Sequence, residues 1–513
     1  MTAFAWRLVS LVHRHVGVVL SATGAAVVVA SGVAVALHKR SPKRRTRRRP
    51  GGDLAPAKWA RPSELAPLRV RSAERGRVVI GRSGRALLAG ERGQSIVVVG
   101  PTQSQKTSGI AIPAILEWDG PIIATSVKTD LVRETVRWRQ SRGEVLVYDP
   151  AAATGLPAAG WSPLAASATW PSARRVASSL CSVARAAGGG GLEDGAFWYS
   201  MAEKLLAPML FGAAAVGATM ADICRWVDTG DESEAMLALE LVGVKEATRA
   251  AAASFGREER QRGSVFATAE SVLAAFSDPA VLASTSSNEI TPARLLDGGS
   301  ATVYLCAPSH EQDRLQPVFV AILRQLLDAA FERGAGTEGP LDPPLLLVLD
   351  EAANVAPIAE LDRLAATAAG HGVQLVTVFQ DLAQVEARYG ARAGTVVNNH
   401  RAKVVLSGIS DPSTLEHVSR LVGEAEHWTS STTVDPYGGW SRTDSPQTRP
   451  LAPAAALRGI VPGEGLLIYG HLPPARMTLR PWFADEELRR RALGSSGGVA
   501  VAPQHQDGER RHG

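Results

Sequence analysis

SIVVVGPTQSQKTS, residues 95 to 108, runs from five small and apolar residues through a glycine and a polar loop into Lys106-Thr107-Ser108. The spacing is that of a phosphate-binding loop, G-x-x-x-x-G-K-[ST], with Gln105 where the second glycine belongs. Such a loop works because a strand turns sharply into a helix, so that backbone N–H groups and the helix N-terminus surround phosphate oxygens. A lysine then reaches the β/γ-phosphates and a hydroxyl holds Mg²⁺. Gly100, Pro101, Thr102, Gln103, Ser104, Gln105, Lys106 and Thr107 would form the cradle, with Lys106 on ATP and Thr107 on Mg²⁺.

Working outward, further apolar runs resemble SIVVVG: PIIATSV (121 to 127), EVLVYDP (144 to 150), ATVYLCAP (301 to 308), LLLVLDE (345 to 351), VQLVTVF (373 to 379), AKVVLSG (402 to 408) and GLLIYG (465 to 470). Continuous rather than alternating apolarity fits parallel strands covered on both faces, and the intervening helical texture makes this an α/β chain. LLLVLDE supplies the second half of a nucleotide site at a strand end. Asp350 would hold Mg²⁺ or its water, and Glu351 would polarise an attacking water. Between Gly188 and Gly299 no convincing strand occurs, and Ala/Leu/Glu-rich stretches predict an inserted all-α domain over 188 to 299. The apolar stretch from Leu205 to Met220 contains Pro208 and is short for a membrane span, so it predicts a buried helix.

The N-terminus carries a different signal. Val16 to Leu37 is uncharged, and at about 1.5 Å per residue a helix of that length crosses a hydrocarbon core of about 30 Å. Lys39, Arg40, Lys43, Arg44, Arg45, Arg47, Arg48 and Arg49 follow directly. Positive charge stays inside, which places the large C-terminal part in the cytoplasm as a single-pass protein of the cell membrane. A cleaved signal peptide ending near Ala34-Val35-Ala36 is the competing reading, opposed by the basic block. The block could meet nucleic acid, but anionic lipid is the nearer partner. It also supplies much of the net charge of +5, which therefore says little about DNA. Cys181, Cys224 and Cys306 are widely spaced and read as reduced thiols. The expected organisation is an anchor and basic segment over 1 to 50, a nucleotide-binding domain in two parts over 51 to 187 and 300 to 485, the helical insertion between them, and a disordered tail over 486 to 513.

These stretches together carry a family resemblance. GPTQSQKTSGIAIPAILEWDGPIIATSVKTDL, YDP, LLLVLDEAANVAPIAELDRLAATAAGHGVQLVTVFQDLAQVEARYG and VVNNHRAKVVLSG resemble the conjugative coupling proteins of type IV secretion systems, the VirD4/TraG/TraD family. The resemblance implies a RecA-like P-loop NTPase core with an inserted all-α domain and one N-terminal transmembrane helix. It implies a hexameric ATPase that passes relaxase-bound single-stranded DNA or protein substrates to a secretion channel. It also implies that Gln380, which ends VQLVTVFQ, senses the γ-phosphate alongside the catalytic Lys106 and Glu351. A double-stranded DNA translocase of the segregation type and a catalytically silent docking receptor are the alternatives. Two positions depart from the family pattern. Ala369 stands where relatives carry an arginine finger, leaving Arg363, Arg388, Arg392 or Arg401 to replace it. Gln105 stands where glycine would avoid strain.

Overall fold

The computed structural model describes residues 56–187, 193–337, 339–434 and 440–494. The expected anchor, Val16 to Leu37, and its basic flank lie outside the described residues. No helix among the described residues is long and apolar enough to cross a membrane.

Fourteen strands are described: β1 (Arg69–Val70), β2 (Val79–Ser83), β3 (Ala86–Ala89), β4 (Ile96–Val99), β5 (Ile122–Ser126), β6 (Val145–Tyr148), β7 (Thr302–Cys306), β8 (Leu345–Leu349), β9 (Val373–Phe379), β10 (Ala402–Leu406), β11 (Glu424–Val434), β12 (Trp440–Pro450), β13 (Glu464–Tyr469) and β14 (Ala475–Thr478). Twelve make one sheet in the order β1-β3-β2-β14-β13-β10-β4-β9-β8-β5-β7-β6. From β10 to β6 every pairing is parallel. The reason is visible in the burial: every residue of β4, β5, β7, β8 and β9 is buried, because helices cover both faces. Alternate residues serve opposite faces, so Leu345, Leu347 and Leu349 join one core cluster while Leu346 and Val348 join the other.

Three expectations from sequence are corrected. GLLIYG forms β13, but β13 runs antiparallel to β10 and begins an antiparallel extension through β14, β2, β3 and β1. Its apolar run could not show this, since burial on both faces says nothing about direction. Residues 486 to 493, expected to open a disordered tail, form the helix Glu486–Leu493, capped by the Asp485 carboxylate accepting from the Leu488 N–H at 3.3 Å. Helical structure after β6 also begins before the glycine run, at Trp170–Ala187.

All elements described between Trp170 and Leu295 are helical. The longest, Glu193–Val216, contains Pro208 and buries Leu205, Leu206, Met209 and Leu210, in agreement with the buried helix expected there. These side chains share one continuous apolar cluster with Leu347 and Leu349 of the sheet. The helical region is thus welded to one face of the sheet by a common core. By contrast, β11 and β12 form a separate two-stranded ribbon, exposed almost throughout.

Candidate nucleotide site

The carboxyl ends of β4, β9 and β8, three neighbours in the parallel part of the sheet, bring Gly100, Gln380 and Asp350 to one edge. In open α/β sheets that edge is where ligands bind.

At the end of β4 the Gly100 N–H donates to the Phe379 carbonyl at 3.1 Å. A Cβ at Gly100 would lie 2.5 Å from Ser104 Oγ and 2.9 Å from Leu406 Cβ, so no side chain fits there. The loop closes through the Ser104 N–H, which donates to the Pro101 carbonyl at 3.3 Å. Lys106 is buried and arches back over the loop, its Nζ donating to the Pro101 carbonyl at 3.3 Å. The helix that follows starts with a π-type turn over Thr107–Ala111 and continues as α-helix over Ile112–Glu117. Its first N–H groups have no partner within the helix and carry its positive dipole end. The C-terminal segment grips this turn: the Trp482 N–H donates to the Ser108 carbonyl at 3.0 Å, and a Cβ at Gly109 would press on Leu479 at 3.2 Å.

The two halves of the expected site are joined directly. Thr107 Oγ1 donates to Asp350 Oδ2 at 2.9 Å. Asp350 is buried, and desolvation pushes its carboxyl up to about 6, against the opposing hydrogen bond from Thr107 and the charge of Lys106. Its other oxygen, Oδ1, has no partner, and neither has Ser104 Oγ or Gln105 Oε1. Buried polar atoms without partners cost about 1–3 kcal/mol each, and here they cluster around one loop. A carboxylate oxygen beside a threonine hydroxyl fits a hydrated divalent cation, and the buried Lys106 with the helix N-terminus fits phosphate.

Backbone strain gathers at the same edge. Among the described residues four non-glycine positions have positive φ, and three are Gln103 (+67°), Gln105 (+65°) and Glu351 (+57°). Gln105 therefore does occupy a left-handed conformation that glycine would adopt without cost. Its Oε1 lies 3.8 Å from where a Cβ of Gly463 would stand, so the amide extends toward the segment before β13. Glu351 begins a tight turn in which its carbonyl accepts from the Asn354 and Val355 N–H groups at 2.9 and 3.1 Å. Strain of about 1–3 kcal/mol per residue persists only where the surroundings dictate it.

Gln380 follows β9 directly, and its N–H donates to Gln384 Oε1 at 3.0 Å. Gln384 escaped the sequence analysis, though its place four residues on, in a helix capped by Asp381, was a usable signal. The arginines considered as replacements for Ala369 diverge. Arg392 pairs with Asp362 at 3.2 Å, and Arg401 pairs with Glu91 at 3.1 Å. Arg388 is half-buried with Nη2 unpartnered, and Arg363 is exposed. Ala369 itself faces Gly93, where an added Cβ would come within 3.0 Å of it.

Fold and site together define a doubly wound α/β protein with a strained strand-to-helix turn and unpartnered buried polar atoms at the carboxyl edge of its sheet. The chain belongs to the type IV secretory system conjugative DNA transfer family, whose pattern matches residues 58–500. It is 26% identical over 420 residues to the conjugal transfer protein TraG of Escherichia coli, covering 74% of this chain and 64% of that one. It is 24% identical over 442 residues to the protein VirD4 of Rhizobium rhizogenes, covering 83% and 65%. The chain thus spans under two thirds of the length of these relatives. Among solved structures, it resembles the unbound bacterial conjugative coupling protein TrwB with a TM-score of 0.65 at 17% identity, covering 83% of this chain and 93% of that one. TrwB in complex with ADP and Mg²⁺ matches with a TM-score of 0.64 at 17% identity, covering 84% and 96%. At this identity the likeness establishes the fold, which is the RecA-like one expected.

Proposed function

We propose that this chain is an ATP-driven coupling protein that recruits DNA, carried as a relaxase-bound single strand, or protein substrates and moves them toward a type IV secretion channel. The observation that carries the reading is the Thr107 to Asp350 hydrogen bond beside the buried Lys106, with Asp350 Oδ1 left without a partner. TrwB, the structural relative, has been solved with ADP and Mg²⁺ and with the ATP analogue ADPNP, which supports ATP and Mg²⁺ as ligands here. The family's name and its TraG and VirD4 relatives support DNA transfer as the task.

Lys106 would leave the Pro101 carbonyl and pair with the β/γ-phosphates, while the loop N–H groups hold phosphate oxygens. Thr107 and Asp350 would hold Mg²⁺, which when bound neutralises charge on the terminal phosphates. Glu351 orients and polarises the attacking water, and Gln380 reads the γ-phosphate through its amide. The working form in this proposal is a homo-hexamer anchored to the cell membrane by one N-terminal span, its bulk in the cytoplasm. In it, an arginine of a neighbouring copy replaces the finger missing at Ala369.

Hydrolysis measured on the full chain tests the reading. Lys106→Ala should remove nucleotide binding, and Glu351→Gln should keep binding while turnover falls by about 10³-fold or more. A wild-type rate no higher than that of both variants would overturn the motor.

A further inference from the structure

The turn that carries Gln380 is held by side chains that belong to none of the roles above. Gln384 Oε1 accepts from the Gln380 N–H at 3.0 Å, and Gln384 Nε2 donates to Asn354 Oδ1 at 3.2 Å. The Asn354 N–H donates in turn to the Glu351 carbonyl at 2.9 Å, and the Asn354 carbonyl accepts from Gln316 Nε2 at 2.6 Å. One amide side chain therefore spans the ends of β9 and β8, touching the residue proposed to read the γ-phosphate and the turn that aims Glu351. Gln316 extends the chain of bonds to the helix Gln312–Gly334, which lies against the inserted helices through the Arg314 to Asp278 ion pair at 2.9 Å.

Packing alone does not fix this arrangement. A cleft of about 740 Å³ lies alongside it, lined by Gln316, Asn354, Gln384 and Arg388 together with Tyr199 and Ser271 of the inserted helices. On that side Gln384 faces open space, so its two hydrogen bonds rather than surrounding side chains set its orientation. The Asp381 carboxylate, accepting from the Gln384 N–H at 2.8 Å, fixes the first turn of the helix Leu382–Tyr389 and hence the place from which Gln384 reaches back. The Leu382 N–H is held separately by the buried Thr414 Oγ1 at 3.0 Å.

We infer that Gln384, bridged through Asn354, is a positioning residue that keeps Gln380 and Glu351 in register, so that the two strand ends act on the γ-phosphate as one unit. This rests on the hydrolytic reading of the site. A loss of the bridge leaves the phosphate loop and the Thr107 to Asp350 pair intact, because neither touches Gln384. Its effect should fall on turnover and spare nucleotide affinity.

The test uses the full chain as wild type, Gln384→Leu, Gln384→Glu, Asn354→Ala and the double variant Gln384→Leu with Asn354→Ala. Three quantities are read: ATP turnover, the Kd of ADP with Mg²⁺, and hydrogen exchange of the Gln380 amide. In Gln384→Leu that amide should exchange about fivefold faster, the worth of one hydrogen bond, and kcat should fall roughly tenfold with the Kd within about twofold. Gln384→Glu should keep slow exchange and most of the turnover, since its carboxylate accepts from the Gln380 N–H and from Asn354 once that amide turns. The double variant should be no slower than Gln384→Leu, as expected of residues acting in one network. Wild-type exchange and kcat in Gln384→Leu would overturn the inference, as would a glutamate variant as impaired as the leucine one, or effects that simply add. Exchange at Gln380 is read without hydrolysis, so an inactive wild type would remove the motor while leaving the bridge itself still tested.

Discussion

At the amino edge of the sheet, the guanidinium of Arg139 is wholly buried and every nitrogen has an acceptor. Nε donates to Thr302 Oγ1 at 2.8 Å, Nη1 to the Trp118 carbonyl at 2.8 Å, and Nη2 to the Gly120 and Ser300 carbonyls at 2.8 and 2.7 Å. These acceptors lie before or at the starts of β5 and β7, so one side chain staples the entries of two strands. At the carboxyl edge Asp350 is also buried, but one of its oxygens has no partner, and two neighbouring loop residues hold positive φ without being glycine. Both centres place charge in a low-dielectric interior, and burial shifts both against ionisation, Arg139 down to about 10 and Asp350 up to about 6. The difference is completeness. A polar centre whose bonds are all made in the protein secures the fold, whereas one left partly unmade has capacity for a ligand.

That contrast can be broken most strongly at Arg139. Arg139→Met should leave three carbonyls and a hydroxyl without their donor and destabilise the protein by about 3 kcal/mol. Urea unfolding should show this as a lower midpoint with an unchanged slope. Nucleotide affinity measured in the native baseline should stay at its wild-type value.

Asp350 should respond with the opposite sign. Its folded-state value is raised above the ordinary 3.8, so the folded chain binds the proton more tightly than the unfolded chain does. The ligand-free protein therefore keeps this contribution below about pH 4 and loses it as pH rises through about 6. Asp350→Asn, which can still accept from Thr107, should remove that slope and raise stability near neutral pH by about 2 kcal/mol, while abolishing Mg²⁺-dependent nucleotide binding. Unfolding of both proteins at pH 5 and 7.5 without nucleotide measures it, and a variant less stable than wild type at both pH values would show that Asp350 is a staple like Arg139.

The smallest effect is expected at Gln105. With φ at +65° and its Oε1 unpartnered, the side chain adds strain to a loop in which glycine would hold the same conformation without cost. Gln105→Gly should relieve about 1 kcal/mol in that conformation, tightening ATP binding and raising turnover about fivefold, with Lys106 still required. Added freedom in the unfolded chain offsets part of the gain in stability, so ligand affinity is the sharper readout. Slower turnover in the glycine variant would mean that the glutamine amide makes a contact with the bound nucleotide.

The same contrast separates what was legible from what was not. Lys106, Thr107, Asp350 and Glu351 could be found from sequence because each follows an uninterrupted apolar run, and a strand buried on both faces can be made only of such residues. The strands β1, β2 and β14 were missed because they are two to five residues long and mix Arg, Gly, Ser or Thr with apolar positions, and β3 because its four apolar residues, Ala86 to Ala89, are too short a run to tell from a helix segment. The ribbon β11–β12 was missed for another reason. With Thr, Ser, Glu and Arg on both faces and hardly a residue buried, it carries no hydrophobic period to read. Gln384 and Asn354 look like ordinary surface amides until β8 and β9 lie side by side.

By itself the sequence determined which residues stand at the carboxyl edge and the α/β character of the chain. Both depend on local pattern, namely which residues follow a strand and how continuously apolar that strand is. Tertiary structure alone decided that β13 runs backwards, that the inserted helices share a core with the sheet, that Asp350 keeps one oxygen without a partner, and that Gln384 spans two strand ends. Those outcomes depend on which segments become neighbours, and neighbours far apart in the chain are chosen by the packing of the whole molecule, which no single stretch encodes.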